Sequence, residues 1–179
     1  VVYGDLISNK YLDCEFVNLD VLNLNNITKK FNNIDIVINC TGQITQPFNL
    51  CYKLNSIGTM NISQAVAISK ARLIHISTVA VYGSADYCNE ESPLNPETSY
   101  ATAKAFAEQI LLENYDHERL TILRLSNLYG NHQTKGFFAY LLRSYHSDRK
   151  LNFNNDGTLT RSFMYVEDCA DMIAEVLRN

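Results

Sequence analysis

Two stretches narrow most sharply what this chain can fold into: "IDIVINC", Ile34 to Cys40, and "RLIHIS", Arg72 to Ser77. Each is a short, β-branched, largely unbroken apolar run, the pattern of a strand covered on both faces. Between them Leu50–Lys70 reads as one long helix, with Leu54, Ile57, Met60, Ile62, Ala65 and Ile68 along an apolar face. Buried strands joined through a helix run parallel, because a parallel connection has to cross over the sheet. The rest of the chain keeps the alternation. Val1–Gly4 and Cys14–Leu19 read as strands, Leu24–Phe31 and Ser99–Tyr115 as helices, and Leu120–Leu125 as a strand. A helix at Gly136–Ser147, extended pieces near Leu151 and Phe163, and a closing helix at Glu167–Arg178 follow. The expected fold class is α/β, a doubly wound parallel sheet with helices on both faces. The alternation loosens after Gly130, which predicts two domains, residues 1–130 and 131–179.

Charge and cysteine usage remove several function classes. The net charge of −4 provides no basic field for nucleic acid or an anionic membrane surface. No apolar run is long enough to span a bilayer and no secretory leader is visible, so a cytoplasmic protein is expected. Cys14, Cys40, Cys51, Cys88 and Cys169 are scattered, with no C-x-x-C, and the four histidines are isolated. Neither a metal site nor a disulfide framework is expected. The chain opens on Val1 inside what already reads as a strand, so it is expected to be a portion of a longer protein.

Ligands of parallel α/β sheets bind beyond the carboxyl ends of the strands. Small and polar residues gather at those ends: Asp5, then Asp20 in "NLDV", "CTG" at Cys40 to Gly42, "STVAVYG" at Ser77 to Gly83, and "LSNLYG" at Leu125 to Gly130. "SYATAK" then sets Tyr100 and Lys104 one helical turn apart on one face. Eleven tyrosines and eight lysines would yield about half of one such spacing by chance, so the pair carries weight only through its neighbours.

Those neighbours carry a resemblance. "DIVINCTGQ", "NSIGTMNI", "HISTVAVYG", "ESPLNPETSYATAK", "ILRLSNLYG" and "RSFMYVEDCADMIAEVL" come in the order and spacing of the extended short-chain dehydrogenase/reductases, specifically the NAD-dependent epimerase/dehydratase group acting on nucleotide sugars. The resemblance implies a Rossmann-like sheet, NAD as cofactor, a nucleotide-sugar substrate and a homodimer in the full-length form. The family's opening strand and G-x-x-G-x-x-G turn are not among these residues. The resemblance therefore implies a sheet truncated at its N-terminal side, followed by the start of a small substrate-binding portion.

The resemblance also implies roles for individual residues. Tyr100 would exchange a proton with a sugar hydroxyl. Lys104 would lower the tyrosine pKa and hold the nicotinamide ribose. A cation about 4 Å from a phenol is worth about three pKa units at an effective dielectric near 20. Thr78, with Ser77 as the fallback, would steady the charge on the reacting oxygen. Asp5 would accept the adenosine ribose hydroxyls and repel a 2′-phosphate, favouring NAD over NADP. Asp20 and Val21 would contact adenine, and Cys40, Thr41, Gly42 and Asn55 would lie against the cofactor. Asn127 and Arg161 would hold the nucleotide part of the substrate, the guanidinium fork suiting a diphosphate. Tyr82 would stack beside the sugar or pack, Tyr11, Tyr52 and Tyr145 would pack, and Asp168 and Asp171 would cap and solvate the last helix. In the family's sugar 4,6-dehydratases acidic residues follow the Thr78 position, whereas Val79 and Ala80 stand here. That implies reversible oxidation at one sugar carbon, with epimerisation favoured over reduction; the alternatives are a ketoreductase or dehydratase of the same family, or a non-catalytic truncated binding module.

Overall fold

The computed structural model describes residues 1–7, 13–84, 87–131, 133–147, 149–153, 156–158 and 160–178. Contacts divide the chain into two units, Val1–Arg124 and Leu125–Asn179.

The first unit begins with β1 (Val2–Asp5), paired in parallel with β2 (Glu15–Asn18) so that Asp5 lies opposite Asn18. Helix α1 (Leu24–Lys30) follows, started by Asn23, whose side chain accepts the Asn26 N–H. β3 (Ile36–Asn39) pairs in parallel with β4 (Arg72–Thr78), and β5 (Leu120–Leu125) lies on the other side of β4. Between β3 and β4 the long helix divides. α2 (Phe48–Lys53) passes through a π-helical turn at Leu54–Gly58 into α3 (Thr59–Ser69). A 3₁₀ turn at Val79–Tyr82 closes β4. Helix α4 (Ser99–Asn114) starts at Thr98, whose hydroxyl accepts the Ala101 N–H at 3.1 Å.

The core gathers Ile27, Ile62, Val66, Leu73 and Leu111 from α1, α3, β4 and α4, with Val21, Phe31 and Tyr115 from the segments flanking α1 and α4. Burying side chains of this size contributes about 1.5–3 kcal/mol each. β1 and β3 belong to separate sheets, and each has one edge that no described strand pairs. Ile36 and Ile38, expected to be buried in "IDIVINC", are exposed, as is Val2. The sequence pattern asks for cover on both faces, and no described element supplies it there.

The second unit pairs β6 (Asn127–Tyr129) in parallel with β7 (Phe163–Tyr165) and adds α5 (Phe137–His146) and α6 (Val166–Arg178). Tyr129, Phe138, Tyr165 and Phe163 pack ring on ring, with centroids 4.6 to 5.5 Å apart. β6 was not anticipated, and Leu151 lies outside any strand and is exposed. Among the described residues no helix is long and apolar enough to cross a membrane.

Candidate active site

The site grows from the carboxyl ends of β3 and β4 and from the first two turns of α4. Lys104 is fully buried on α4. Its ammonium donates to the carbonyl oxygens of Thr41 and Ile76, each at 2.9 Å. The Ile76 carbonyl also accepts the Gln43 amide at 3.0 Å, and the Gln43 oxygen accepts the Tyr100 hydroxyl at 2.6 Å. One short network thus ties the loop after β3, the end of β4 and both members of the "SYATAK" pair.

The electrostatics differ from the sequence expectation. Burial pushes the Tyr100 phenol up to about 12, and Cys51 acts in the same direction. Its bond to an amide oxygen requires the protonated hydroxyl as donor, which favours the neutral form further. Lys104 gives its charge to two carbonyls and is itself pushed down to about 8 by burial, against Cys40, Cys51 and Glu108. In this resting arrangement Tyr100 is a proton donor. The expected lowering by Lys104 does not appear in this arrangement, where burial is the largest influence on the phenol.

Below Lys104 lies His75, fully buried on β4. Asn39 accepts the backbone and side-chain donors of Thr41 through Oδ1, so its Nδ2 donates to His75 Nδ1 at 3.0 Å. The ring is therefore the neutral tautomer with its proton on Nε2. Burial, then the charge of Lys104, pushes its pKa down to about 3.

The loop Cys40–Gly42 passes over Asn55, which the π-helical turn points inward. Asn55 Nδ2 donates to Gly42 O at 3.1 Å and to Cys51 O at 2.9 Å. Gly42 has φ +75°, and a Cβ there would collide with the Asn55 amide. Asn55 Oδ1 is buried without a partner. An unpaired buried acceptor beside a close-passing loop fits a site that takes a hydrogen-bond donor from a ligand. Lys104 also has a third N–H beyond the two given to carbonyls. These features fit a ribose or amide placed against the loop.

The other anticipated residues lie as follows. The Thr78 hydroxyl accepts the Ala80 N–H at 3.2 Å and caps the 3₁₀ turn, half-buried at the end of β4. Ser77 is buried and donates to Glu108, which removes it as a fallback for Thr78. Asp5, exposed at the end of β1, accepts the Tyr3 hydroxyl and the Leu6 N–H, both at 2.6 Å. Asp20 accepts the Leu22 N–H at 2.9 Å, and Val21 packs in the core while its carbonyl accepts Asn61 at 3.0 Å. Cys40 is exposed. Tyr82 packs: it is buried and its hydroxyl accepts from Arg124 at 2.6 Å. Tyr52 and Tyr145 are exposed rather than packed inside, and Tyr11 lies outside the described residues. In the second unit Asn127 is exposed and its amide donates to Ser162 O at 3.1 Å. Arg161 is exposed, and Asp168 sits in the first turn of α6.

Gln43, Asn39, His75, Glu108 and Arg124 were not anticipated. Glu108 was discoverable, since it follows Tyr100 and Lys104 at the same four-residue interval on one helix face.

A match to the family described as "NAD dependent epimerase/dehydratase family" spans residues 4–179. The chain belongs to this family. The dTDP-D-glucose 4,6-dehydratase of Homo sapiens is 28% identical over 188 residues, covering 97% of this chain and 53% of that protein. The crystal structure of a DesIV double mutant, a dTDP-glucose 4,6-dehydratase from Streptomyces venezuelae with NAD and DAU bound, superposes with a TM-score of 0.88 at 22% identity, covering 99% of this chain and 62% of that one. The UDP-glucuronic acid 4-epimerase from Bacillus cereus in complex with NAD gives 0.81 at 27% identity, covering 92% and 56%. The chain spans about half the length of the curated relatives it matches. The α/β Rossmann-like fold with parallel strands is shared with these epimerase/dehydratase structures, so the fold class read from the alternation holds.

Proposed function

We propose that the full-length protein is an NAD-dependent enzyme that oxidises and re-reduces one carbon of a nucleotide sugar, with Tyr100, Lys104 and Thr78 as its catalytic residues. The observation that carries this reading is the convergence of Tyr100 and Lys104 on the Cys40–Gly42 loop and the end of β4 through Gln43 and the Ile76 carbonyl. Asp5, Asp20, Val21, Cys40, Thr41, Gly42 and Asn55 would hold the cofactor, with Lys104 on its ribose. Bound NAD would supply the hydride acceptor and donor for the sugar carbon. For Tyr100 to take the hydroxyl proton as the hydride leaves, its own phenol proton must first pass to solvent and the substrate hydroxyl must displace Gln43 as its partner. The positive charges of Lys104 and of an oxidised nicotinamide would favour that deprotonation. Thr78 donates to the same oxygen. Asp5 supports NAD over NADP, and titration of both cofactors tests it: equal affinity removes that role.

The first unit would serve the cofactor and the second the nucleotide, through Asn127 and Arg161. Val79 and Ala80 place no carboxyl group on the turn after Thr78, which supports epimerisation over elimination. A second reading, 4,6-dehydration, is favoured by the names of the curated relatives. Incubation of the full-length protein with UDP-glucose or dTDP-glucose separates them: an epimer keeps the substrate mass, whereas a dehydrated product loses one water. Phe48, Tyr52 and Phe106 expose rings along α2 and α4, with Tyr52 and Phe106 stacked at 6.2 Å, and support a homodimer. Sedimentation reads that directly, and a monomer at micromolar concentration rejects it. Five scattered cysteines, with no spacing that suggests a disulfide framework, fit a cytoplasmic location.

Tyr100→Phe tests the central claim. It should lower turnover of the nucleotide sugar by on the order of a thousandfold and leave NAD binding within about twofold, because only the proton acceptor is lost. A variant that keeps most of its activity would reject the enzymatic roles assigned here.

A further inference from the structure

Glu108 is fully buried, and nothing in the reaction above uses it. Arg124 of β5 reaches its carboxylate with two nitrogens, Nη2 at 2.7 Å and Nε at 3.0 Å to Oε2, with Nε also 3.2 Å from Oε1. Ser77, immediately before Thr78, donates to the same carboxylate. The remaining nitrogen of Arg124, Nη1, donates to the Tyr82 hydroxyl at 2.6 Å and to the Glu90 carbonyl at 3.4 Å. The guanidinium also lies over the Tyr82 ring, 4.9 Å from its centroid. One ion pair therefore joins α4, the last residues of β4, the 3₁₀ turn and the loop that leads to Thr98.

We propose that Glu108 and Arg124 are positioning residues that set the placement of Thr78 on β4 relative to Tyr100 and Lys104 on α4. The proposal rests on the catalytic roles given to those three residues. Glu108 lies one helical turn beyond Lys104 and two beyond Tyr100, so holding Glu108 fixes the rotation of the face that carries both. Ser77 anchors β4 to the same carboxylate one residue before Thr78. A bidentate guanidinium permits little sliding, which a lysine in its place would allow. Glu108 has a second effect. Cys40 from the loop after β3, Cys51 from α2, His75 from β4 and Glu108 from α4 face Lys104, and Glu108 helps keep the ammonium charged.

The test uses the full-length protein with UDP-glucose and dTDP-glucose as probes. Glu108→Gln keeps the side-chain volume and a partner for Ser77 but removes the charge. Its kcat should fall by on the order of tenfold to a hundredfold, with NAD affinity within about threefold. The limb of its pH–rate profile on which Lys104 loses its proton should move to lower pH. Arg124→Lys should fall similarly and recover only part of the loss seen with Arg124→Met. The double variant Glu108→Met/Arg124→Met leaves no lone buried charge, so its melting temperature should return towards the wild type while its kcat does not. Recovery of both melting temperature and kcat in the double variant would reduce the pair to a structural element and overturn the proposal. So would a Glu108→Gln enzyme with full rate and an unshifted profile; Tyr100→Phe would still be inactive in that case, and the function above would stand. An active Tyr100→Phe would remove both.

Discussion

Replacing His75 by glutamine should remove a large part of the protein's sensitivity to mild acid. The ring is fully buried, takes a hydrogen bond from Asn39 on Nδ1, and lies near the Lys104 charge. Adding a proton to Nδ1 would set two donors against each other and place a second cation under Lys104. Its pKa accordingly falls from 6.5 to about 3. Between those values the unfolded chain binds a proton that the folded chain refuses, so stability drops as pH falls through this window. The loss saturates only once the folded state also protonates, near 3. At about 1.4 kcal/mol per unit below 6.5, lowering the pH from 7 to 4.5 costs about 3 kcal/mol, a sizeable part of a typical domain's 5–15 kcal/mol. Glutamine keeps an acceptor for Asn39 and a donor beyond it, and does not titrate. The chain has no tryptophan, so urea unfolding at pH 7 and 4.5 is best followed by circular dichroism. The wild type should lose about 3 kcal/mol more than His75→Gln on going to the lower pH. Equal losses in both would refute the reasoning, because carboxylates elsewhere contribute identically to the two proteins.

Lys104 gives the opposite window. Its folded pKa near 8 lies below the ordinary 10.5, so stability should rise as pH climbs between these values, and Lys104→Met should lack that rise in the same denaturation series. Gly42→Ala should destabilise by on the order of 2 kcal/mol, from the positive φ and the collision with Asn55, and lower the melting temperature. Asn55→Ala in that background should return part of the loss, since the two changes share one contact.

Much of this protein is written in local sequence. The unbroken apolar runs at "IDIVINC" and "RLIHIS", joined through a helical segment, were enough for a parallel α/β sheet, because strand pairing and crossover geometry allow few alternatives. The alternation placed the starts of α1 at Leu24 and α4 at Ser99, where the structure has Asn23 and Thr98 supplying the short side-chain acceptors that helix N-termini require. The four-residue interval between Tyr100 and Lys104 fixed their common helix face. Tertiary structure alone decided their ionisation. Desolvation depends on what surrounds a group, so Tyr100 rises and Lys104 falls although their spacing suggests the reverse for the phenol. The same holds for partners distant in sequence: Gln43 meets Tyr100 57 residues away, and Arg124 meets Glu108 across a strand and a helix. Nor could the pattern of Ile36 and Ile38 reveal that they stand exposed. A strand's sequence states which faces need cover, while only the assembled chain determines which faces receive it.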